Sequence, residues 1–291
     1  MGPIRGSGCT WGACRWMVGF GLLLGLAGGE RVVFAQATYD FESLSPGLLV
    51  GQDGWQAGHG SPSQIEVMDV AHPSNTSRVA GMDVVNMVGI YATRISDAAF
   101  AVPAFSSSDT HVVVQFDCRV NWSAGPNSVA AFGLWHDLNG NGLLDQFGEM
   151  GPAFGYNYNR NIPPSLEIRA GGEGTPVRQD ISSLVSPGDW LRVRMTADLT
   201  ANGGAGTGSL AYMNLSAGET AFTDLPDLQD VDLNLSAGPA PETWDALCIR
   251  LDTLYPLVGV DNLVPRVPEP LTLGLLVVGG LAPRRRRRPL T

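Results

Sequence analysis

The sequence predicts an all-β fold, a two-sheet antiparallel sandwich of the jelly-roll kind, and three observations favour it. Several runs of seven to thirteen residues are rich in β-branched and aromatic side chains. Turn-forming segments rich in glycine, asparagine and proline separate these runs, and no helical period occurs between the two terminal segments. Some runs also alternate apolar and polar residues, as a strand with one buried and one solvated face does. The runs are Thr110–Trp122, Val129–His136, Trp190–Asp198, Ser209–Leu215 and Ala246–Asp252.

The alternation is clearest in the first of these runs. One face carries apolar residues, and the other carries polar ones, so we expect the first face to be buried and the second to meet solvent. The apolar face consists of Val112, Val114, Phe116 and Cys118, and the polar face of Gln115, Asp117 and Arg119.

Residues 1–37 have the order of a secretory signal peptide. Arg5 and Arg15 precede a glycine-rich apolar run over residues 16–28, and Ala35-Gln36-Ala37 supplies a small-x-small cleavage pattern. We therefore expect signal peptidase to cut after Ala37 and the remaining chain to be exported. An uncleaved signal anchor is the alternative.

The exported part, about 230 residues over 38–264, is long enough for one β-sandwich domain. Residues 38–283 hold 27 acidic residues (all 28 of the chain except Glu30) and 10 arginines (the 18 basic residues less Arg5, Arg15, Arg31 and the five terminal arginines), a formal net charge of −17. Such a surface repels nucleic acid and anionic lipid headgroups, so neither is expected as a partner. Polycations or divalent cations would suit it, although solubility alone also explains the charge.

Two cysteines remain after removal of the signal peptide. Cys118 and Cys248 both lie in strand-like runs, and an oxidising compartment would allow them to pair. A disulfide and two buried thiols are therefore both open. A metal site is not expected here, because neither cysteine has a second Cys or a His at ligand spacing.

The segment 137–149, DLNGNGLLDQFGE, resembles a calcium-binding loop in its first nine positions. Oxygen-bearing residues alternate around a glycine at the sixth position, which is the arrangement that a hard cation requires. The twelfth position is glycine, however, and the acidic residue follows one place later. Calcium binding and a plain Asn/Gly-rich turn are both open. The candidate ligands are Asp137, Asn139, Asn141, Leu143, Asp145 and Glu149.

The exported part shows no catalytic constellation, so we expect it not to be an enzyme. It lacks a Glu-x-Asp-x-x-Glu carboxylate set, an HExxH pair and a Gly-x-Ser-x-Gly elbow. Sugar binding is a further hypothesis, because Tyr156 and Tyr158 are two residues apart and share one face of a strand, where they could stack on sugar rings. Their alternative role is in the core.

Three short motifs of the body resemble the concanavalin A-like (laminin G-like) sandwich. They are Tyr39-Asp40-Phe41-Glu42, Gly51-Gln52-Asp53-Gly54-Trp55 and Val260-Asp261-Asn262-Leu263. The resemblance implies a sandwich whose first and last strands lie side by side, so that both chain ends leave together. An immunoglobulin-like sandwich is the alternative architecture.

The last segment, 265–291, combines a Pro-Glu-Pro triplet, an apolar run over 271–282 and a terminal block of arginines. The apolar run has about a dozen residues, whereas a stable spanning helix needs about twenty, so it predicts a transient membrane segment. The arginines would stay on the cytoplasmic side. This arrangement resembles the PEP-CTERM sorting signal, which implies recognition by a membrane exosortase; a simple tail anchor is the alternative. The matching residues are Pro268, Glu269, Pro270, Arg284, Arg285, Arg286, Arg287 and Arg288.

Together these patterns predict a non-catalytic exported protein of the cell envelope or extracellular matrix, with a transient single-pass segment at its C-terminus. The transient partners are signal peptidase and exosortase. The competing hypothesis is a surface module that binds extracellular polysaccharide.

Overall fold

The computed structural model divides the chain into two compact units, Met1–Ala35 and Gln36–Thr291. All residues that the structure describes belong to the second unit. They are residues 39–57, 65–73, 75–82, 95–101, 110–122, 127–136, 150–159, 161–171, 174–237, 240–241, 244, 246–253 and 258–264.

Sixteen strands occur within this described part of the chain. They are β1 (Gly47–Leu48), β2 (Gln56–Ala57), β3 (Glu66–His72), β4 (Asn75–Met82), β5 (Ile95–Ala101), β6 (His111–Arg119), β7 (Asn127–Trp135), β8 (Met150–Asn159), β9 (Ile162–Arg169), β10 (Val177–Asp180), β11 (Trp190–Asp198), β12 (Thr207–Asn214), β13 (Thr223–Asp224), β14 (Val231–Asp232), β15 (Ala246–Thr253) and β16 (Val258–Val264). The five runs predicted from the sequence are therefore confirmed as β6, β7, β11, β12 and β15.

Helical structure is confined to short turns among these residues. The segment α1 (Ala201–Gly204) is four residues long and contains left-handed backbone at Asn202 and Gly203, so it is a turn between β11 and β12. Two 3₁₀ turns cover Pro226–Leu228 and Leu235–Ala237. No helix in the described part is both long enough and apolar enough to span a bilayer.

The strands form two antiparallel sheets that pack as a sandwich, which confirms the predicted all-β, two-sheet architecture. The nine-stranded sheet has the order β1-β3-β4-β16-β6-β11-β12-β13, with β14 also paired to β12. The seven-stranded sheet has the order β10-β9-β8-β7-β15-β5-β2. Successive strands change sheet repeatedly: β4, β5, β6 and β7 alternate between the two sheets, and so do β10 and β11, and β15 and β16.

The core lies between the inner faces of the two sheets. Phe116 of β6 stacks on Phe132 of β7, with ring centroids 5.4 Å apart, and meets Phe154 of β8 edge-on at 5.5 Å. Leu191, Val193 and Met195 of β11 follow the predicted alternation and join this core. The inward residues therefore fix which side of each strand faces outward.

The two ends of the described body meet. Tyr39 and Leu263 form an antiparallel bridge, in which each backbone N–H donates to the other residue's carbonyl over 2.8 Å. The Tyr39 ring also packs edge-on against Phe41 at 5.0 Å and Trp55 at 5.7 Å. The three motifs on which the concanavalin A-like resemblance rests are thus neighbours in space.

Candidate functional site

The outer face of the seven-stranded sheet carries a row of residues that the strand register aligns. Arg250 of β15 lies opposite Ala131, Ala131 opposite Gly155, Gly155 opposite Glu167, and Glu167 opposite Arg178 of β10. Their sequence neighbours, such as Phe132 and Leu166, fill the core. Because successive side chains alternate between faces, the row itself belongs to the outer face.

The middle of this row has almost no side-chain volume. Gly155 has a φ of +152°, and a Cβ at this position would lie 2.3 Å from the carbonyl oxygen of Ala130 and 2.7 Å from the Cα of Ala131. Only glycine fits, since both contacts are with backbone atoms that cannot move aside. Ala131 and Ala153 beside it are partly exposed. Gly155 itself is buried, so the accessible part of the strip formed by Ala131, Ala153 and Gly155 is the two methyl groups.

Charged and amide side chains lie beside this strip around Glu167. Arg178 donates from Nε to Glu167 Oε2 over 2.7 Å, and Asn157 donates from Nδ2 to the same oxygen over 3.1 Å. Arg169 places a terminal nitrogen 3.9 Å from Glu167 Oε1. We call these four residues the Glu167 cluster. Planar groups with several donors and acceptors, next to apolar methyl groups, are the type of arrangement that orients a polyhydroxyl ligand.

A second polar cluster lies on the outer face of the nine-stranded sheet. Arg192 of β11 donates from Nε to Asp117 Oδ1 over 2.6 Å and from a terminal nitrogen to Oδ2 over 2.8 Å. Asn262 of β16 donates to Oδ2 over 2.8 Å, and the Nε2 atom of His72 lies 3.3 Å from the same oxygen. We call these four residues the Asp117 cluster.

The Asp117 cluster corrects the prediction that this side of β6 meets solvent. The side chain of Asp117 is 0% exposed, and the ring of Trp190 lies over His72 with centroids 4.5 Å apart. Burial alone would raise the pKa of Asp117, but hydrogen bonds from Arg192, His72 and Asn262 and the charge of Arg192 hold it below its usual value. Because Asp117 is enclosed, its cluster acts in stability rather than in ligand binding.

Tyr156 and Tyr158 do not form the sugar-stacking pair that the sequence suggested. They share one face of β8, as predicted, but this face is the inner one. Tyr156 is 0% exposed and donates its hydroxyl to the backbone carbonyl of Asn121 over 3.0 Å, and Tyr158 packs against the core. The stacking hypothesis is wrong for Tyr156, because a fully buried ring cannot meet a sugar. Tyr158 is partly exposed, so for this residue stacking stays a prediction.

The structure also contradicts a disulfide between Cys118 and Cys248. Both residues are buried thiols. Cys118 points into the core from β6, whereas on β15 the residues that join the core are Ile249 and Leu251, and Cys248 immediately precedes Ile249. The side chain of Cys248 therefore lies on the outer face of the opposite sheet, so the two sulfurs cannot reach bonding distance.

Several predicted sites lie outside the described residues. They are the calcium loop at 137–149, the signal peptide at 1–37 and the sorting segment at 265–291, and each stays a prediction. Among the residues that the structure does describe, no group of three or more His, Cys, Asp or Glu side chains is arranged to hold a metal ion.

Sequence reasoning did not single out the Glu167 cluster, although part of its signal was present. In Leu166-Glu167-Ile168-Arg169 the apolar and charged residues alternate, which places Glu167 and Arg169 on one face. The partner Arg178 follows only from the register of the β9–β10 hairpin.

Comparison with known proteins gave similarities of fold only, and neither the family models nor the curated proteins contained a match. The lectin I of Ulex europaeus, solved with the methyl glycoside of α-L-fucose, is 11% identical with a TM-score of 0.44, over 72% of this chain and 90% of that one. A carbohydrate esterase from the Shiga toxin-encoding bacteriophage phi24B is 13% identical with a TM-score of 0.42, over 77% and 96%. An endo-1,3-beta-glucanase from Streptomyces sioyaensis is 11% identical with a TM-score of 0.41, over 81% and 98%. None of these likenesses assigns a site or an activity to this chain.

Proposed function

We propose that this chain is an exported, non-catalytic protein of the cell envelope or extracellular matrix, with a β-sandwich body delivered by the PEP-CTERM-like segment at 265–291. The observation that supports it best is the bridge between Tyr39 and Leu263. It pairs the two ends of the body with each other. Tyr39 lies two residues after the predicted cleavage site at Ala37, and Leu263 lies five residues before Pro268. Cutting the chain at either place therefore leaves this pairing intact.

The body itself is proposed to be a concanavalin A-like jelly roll. Its strands change sheet repeatedly, and its first and last segments lie side by side, as the resemblance implies. The motif residues Tyr39 and Trp55 are also joined directly, since Trp55 Nε1 donates to the Tyr39 hydroxyl over 2.9 Å and that hydroxyl donates to Asp53 over 3.0 Å.

The intact mass of the protein isolated from its native envelope tests the export proposal. We expect a mass that lacks residues 1–37 and the arginine block, with the second cut near Pro268–Pro270. A mature C-terminus at Thr291 would favour a simple tail anchor instead. Replacing Glu269 with Gln separates recognition from membrane insertion, because the apolar run and the arginines are unchanged in that variant.

A second candidate function, polysaccharide binding, is favoured by the outer face of the seven-stranded sheet. The partly exposed methyl groups of Ala131 and Ala153 offer apolar contact to a sugar ring, and the Glu167 cluster offers hydrogen-bond donors and acceptors beside them. A glycosidase uses a pair of carboxylates, whereas within the described part of the chain the partners of Glu167 are two arginines and an amide. This arrangement supports binding without hydrolysis.

Affinity electrophoresis against a panel of neutral and acidic polysaccharides tests this second function. We expect retardation by at least one polymer and its loss in Asn157→Ala. The matched control is Asn214→Ala, which also removes an asparagine amide, but from β12 in the other sheet. Equal loss in both variants, or migration unaffected by every polymer, would argue against the strip as a binding surface.

A further inference from the structure

The charged side chains of the Glu167 cluster differ in their exposure to solvent. The Glu167 side chain is only 9% exposed, whereas Arg178 and Arg169 are 30% and 34% exposed. The carboxylate is thus more enclosed than the two arginine side chains. A ligand that approaches this face meets the two positive groups first, and two arginines against one carboxylate leave a local charge of +1.

The guanidinium groups also retain unused donors. Arg178 uses its Nε in the bond to Glu167, and an arginine carries five N–H donors. Arg169 lies 3.9 Å from Glu167, which is beyond hydrogen-bond distance. Arginine donors are arranged as a planar fork that fits a carboxylate through two parallel bonds, and such charge-assisted bonds are stronger than neutral ones.

The positive charge of the Glu167 cluster is unusual in this protein, because the exported part as a whole is strongly acidic. Residues 38–283 contain no lysine and carry a formal charge of −17. An acidic polymer is repelled by most of such a surface, but charges more than about 8 Å away are largely screened at physiological ionic strength. Close contact with Arg169 and Arg178 would therefore decide where an acidic chain binds.

We propose that the Glu167 cluster selects polysaccharides whose sugars carry carboxylates, with Arg169 and Arg178 as the residues that determine this specificity. The inference rests on the polysaccharide-binding function proposed above. The sugar ring contacts the partly exposed methyl groups of Ala131 and Ala153, and its carboxylate accepts hydrogen bonds from the free edges of the guanidinium groups. Glu167 accepts a hydrogen bond from Arg178 and is itself held by the amide of Asn157, so the two residues together position Arg178.

The test uses two forms of one polymer, polygalacturonate and the same polymer after complete methyl esterification of its carboxyl groups. Binding to the full chain in a nonionic detergent is measured at about 0.15 M salt, where remote charges are screened. We expect the acid form to bind at least about tenfold more tightly than the ester, a difference of about 1.4 kcal/mol, since charge-assisted hydrogen bonds are stronger than neutral ones. Arg169→Gln and Arg178→Gln should each reduce this preference.

Arg194→Gln is the matched control, because it makes the same change of charge on the other sheet, where Arg194 lies over the Phe222 ring at 3.9 Å. It should leave the preference unchanged. A similar loss in all three variants would show a general charge effect and overturn the proposal. Equal binding of acid and ester would overturn the carboxylate specificity while leaving polysaccharide binding intact. If neither polymer bound, the carboxylate specificity would also be overturned. The neutral polysaccharides of the wider panel would then show whether the strip binds sugars at all.

Discussion

Asn262 donates its side-chain amide to the buried carboxylate of Asp117 over 2.8 Å, from a backbone held in the left-handed region at φ +49°. The two residues belong to β16 and β6, whose register shifts by a bulge between Asp261 and Val264. The bulge turns Asn262 toward the Asp117 cluster and Leu263 toward its bridge with Tyr39. This one irregularity therefore fixes the last strand of the body at two points.

The first prediction concerns this bond. Asn262→Gly should lower the free energy of unfolding by about 1–2 kcal/mol, because the loss of a hydrogen bond to a charged group is partly offset by the ease with which glycine adopts a positive φ. Asn262→Ala should lower it by about 1 kcal/mol more, since a Cβ is unfavourable in the left-handed region. Urea denaturation measures both. Equal stability of the two variants would mean that the backbone at Asn262 is unstrained.

The second prediction concerns the charge of Asp117. Asp117→Asn should destabilise the body by about 3–5 kcal/mol, because it removes the buried carboxylate that pairs directly with the half-buried guanidinium of Arg192. The pair Asp69–Arg78 offers a matched control, since its carboxylate is 75% exposed. Asp69→Asn should cost less than about 1 kcal/mol. Urea denaturation measures the free energy of unfolding of both variants. If both lost a similar amount, the burial of Asp117 would not explain its effect on stability.

The third prediction is the pH dependence of stability. The pKa of Asp117 is lowered in the folded state, so the unfolded chain binds a proton at a higher pH than the folded chain does. The stabilisation is therefore complete above the ordinary value of 3.8 and is lost as the pH falls below it toward the folded value. Thermal melting between pH 7 and about 2 should show this decline. Asp117→Asn should flatten it, and an unchanged slope would assign the decline to other carboxylates.

The sequence allowed the strands to be predicted but not the contacts between distant ones. Alternation in 110–122 and 190–198 is a local signal, and both runs are strands. Asn262 and Asp117 are 145 residues apart, so no local pattern relates them. For Tyr156 and Tyr158 the period of two predicted a shared face correctly but did not identify it. Phe154, two residues earlier, continues the same face into the core and was the available signal.

The fourth prediction concerns the two thiols. Burial raises the pKa of the Cys118 thiol, and Cys248 is also enclosed, so neither should react with a thiol reagent in the folded protein. Both should react once the protein is unfolded in urea without a reductant. Counting the modified thiols by mass spectrometry checks this, and protection that persists after unfolding would show that the native protein carries the disulfide after all.

The fifth prediction separates the core role of Tyr156 from sugar binding. Tyr156→Phe keeps the ring among its core neighbours and removes the hydroxyl that donates to the Asn121 carbonyl, so it should cost about 1 kcal/mol of stability. Tyr156→Ala should cost about 3–5 kcal/mol, because it empties a large volume of the core. Below the melting temperature of each variant, polysaccharide affinity should match that of the unaltered chain. If Tyr156→Phe were as stable as the unaltered chain but no longer bound polysaccharide, the hydroxyl would contact the ligand, and the assignment of Tyr156 to the core would be wrong.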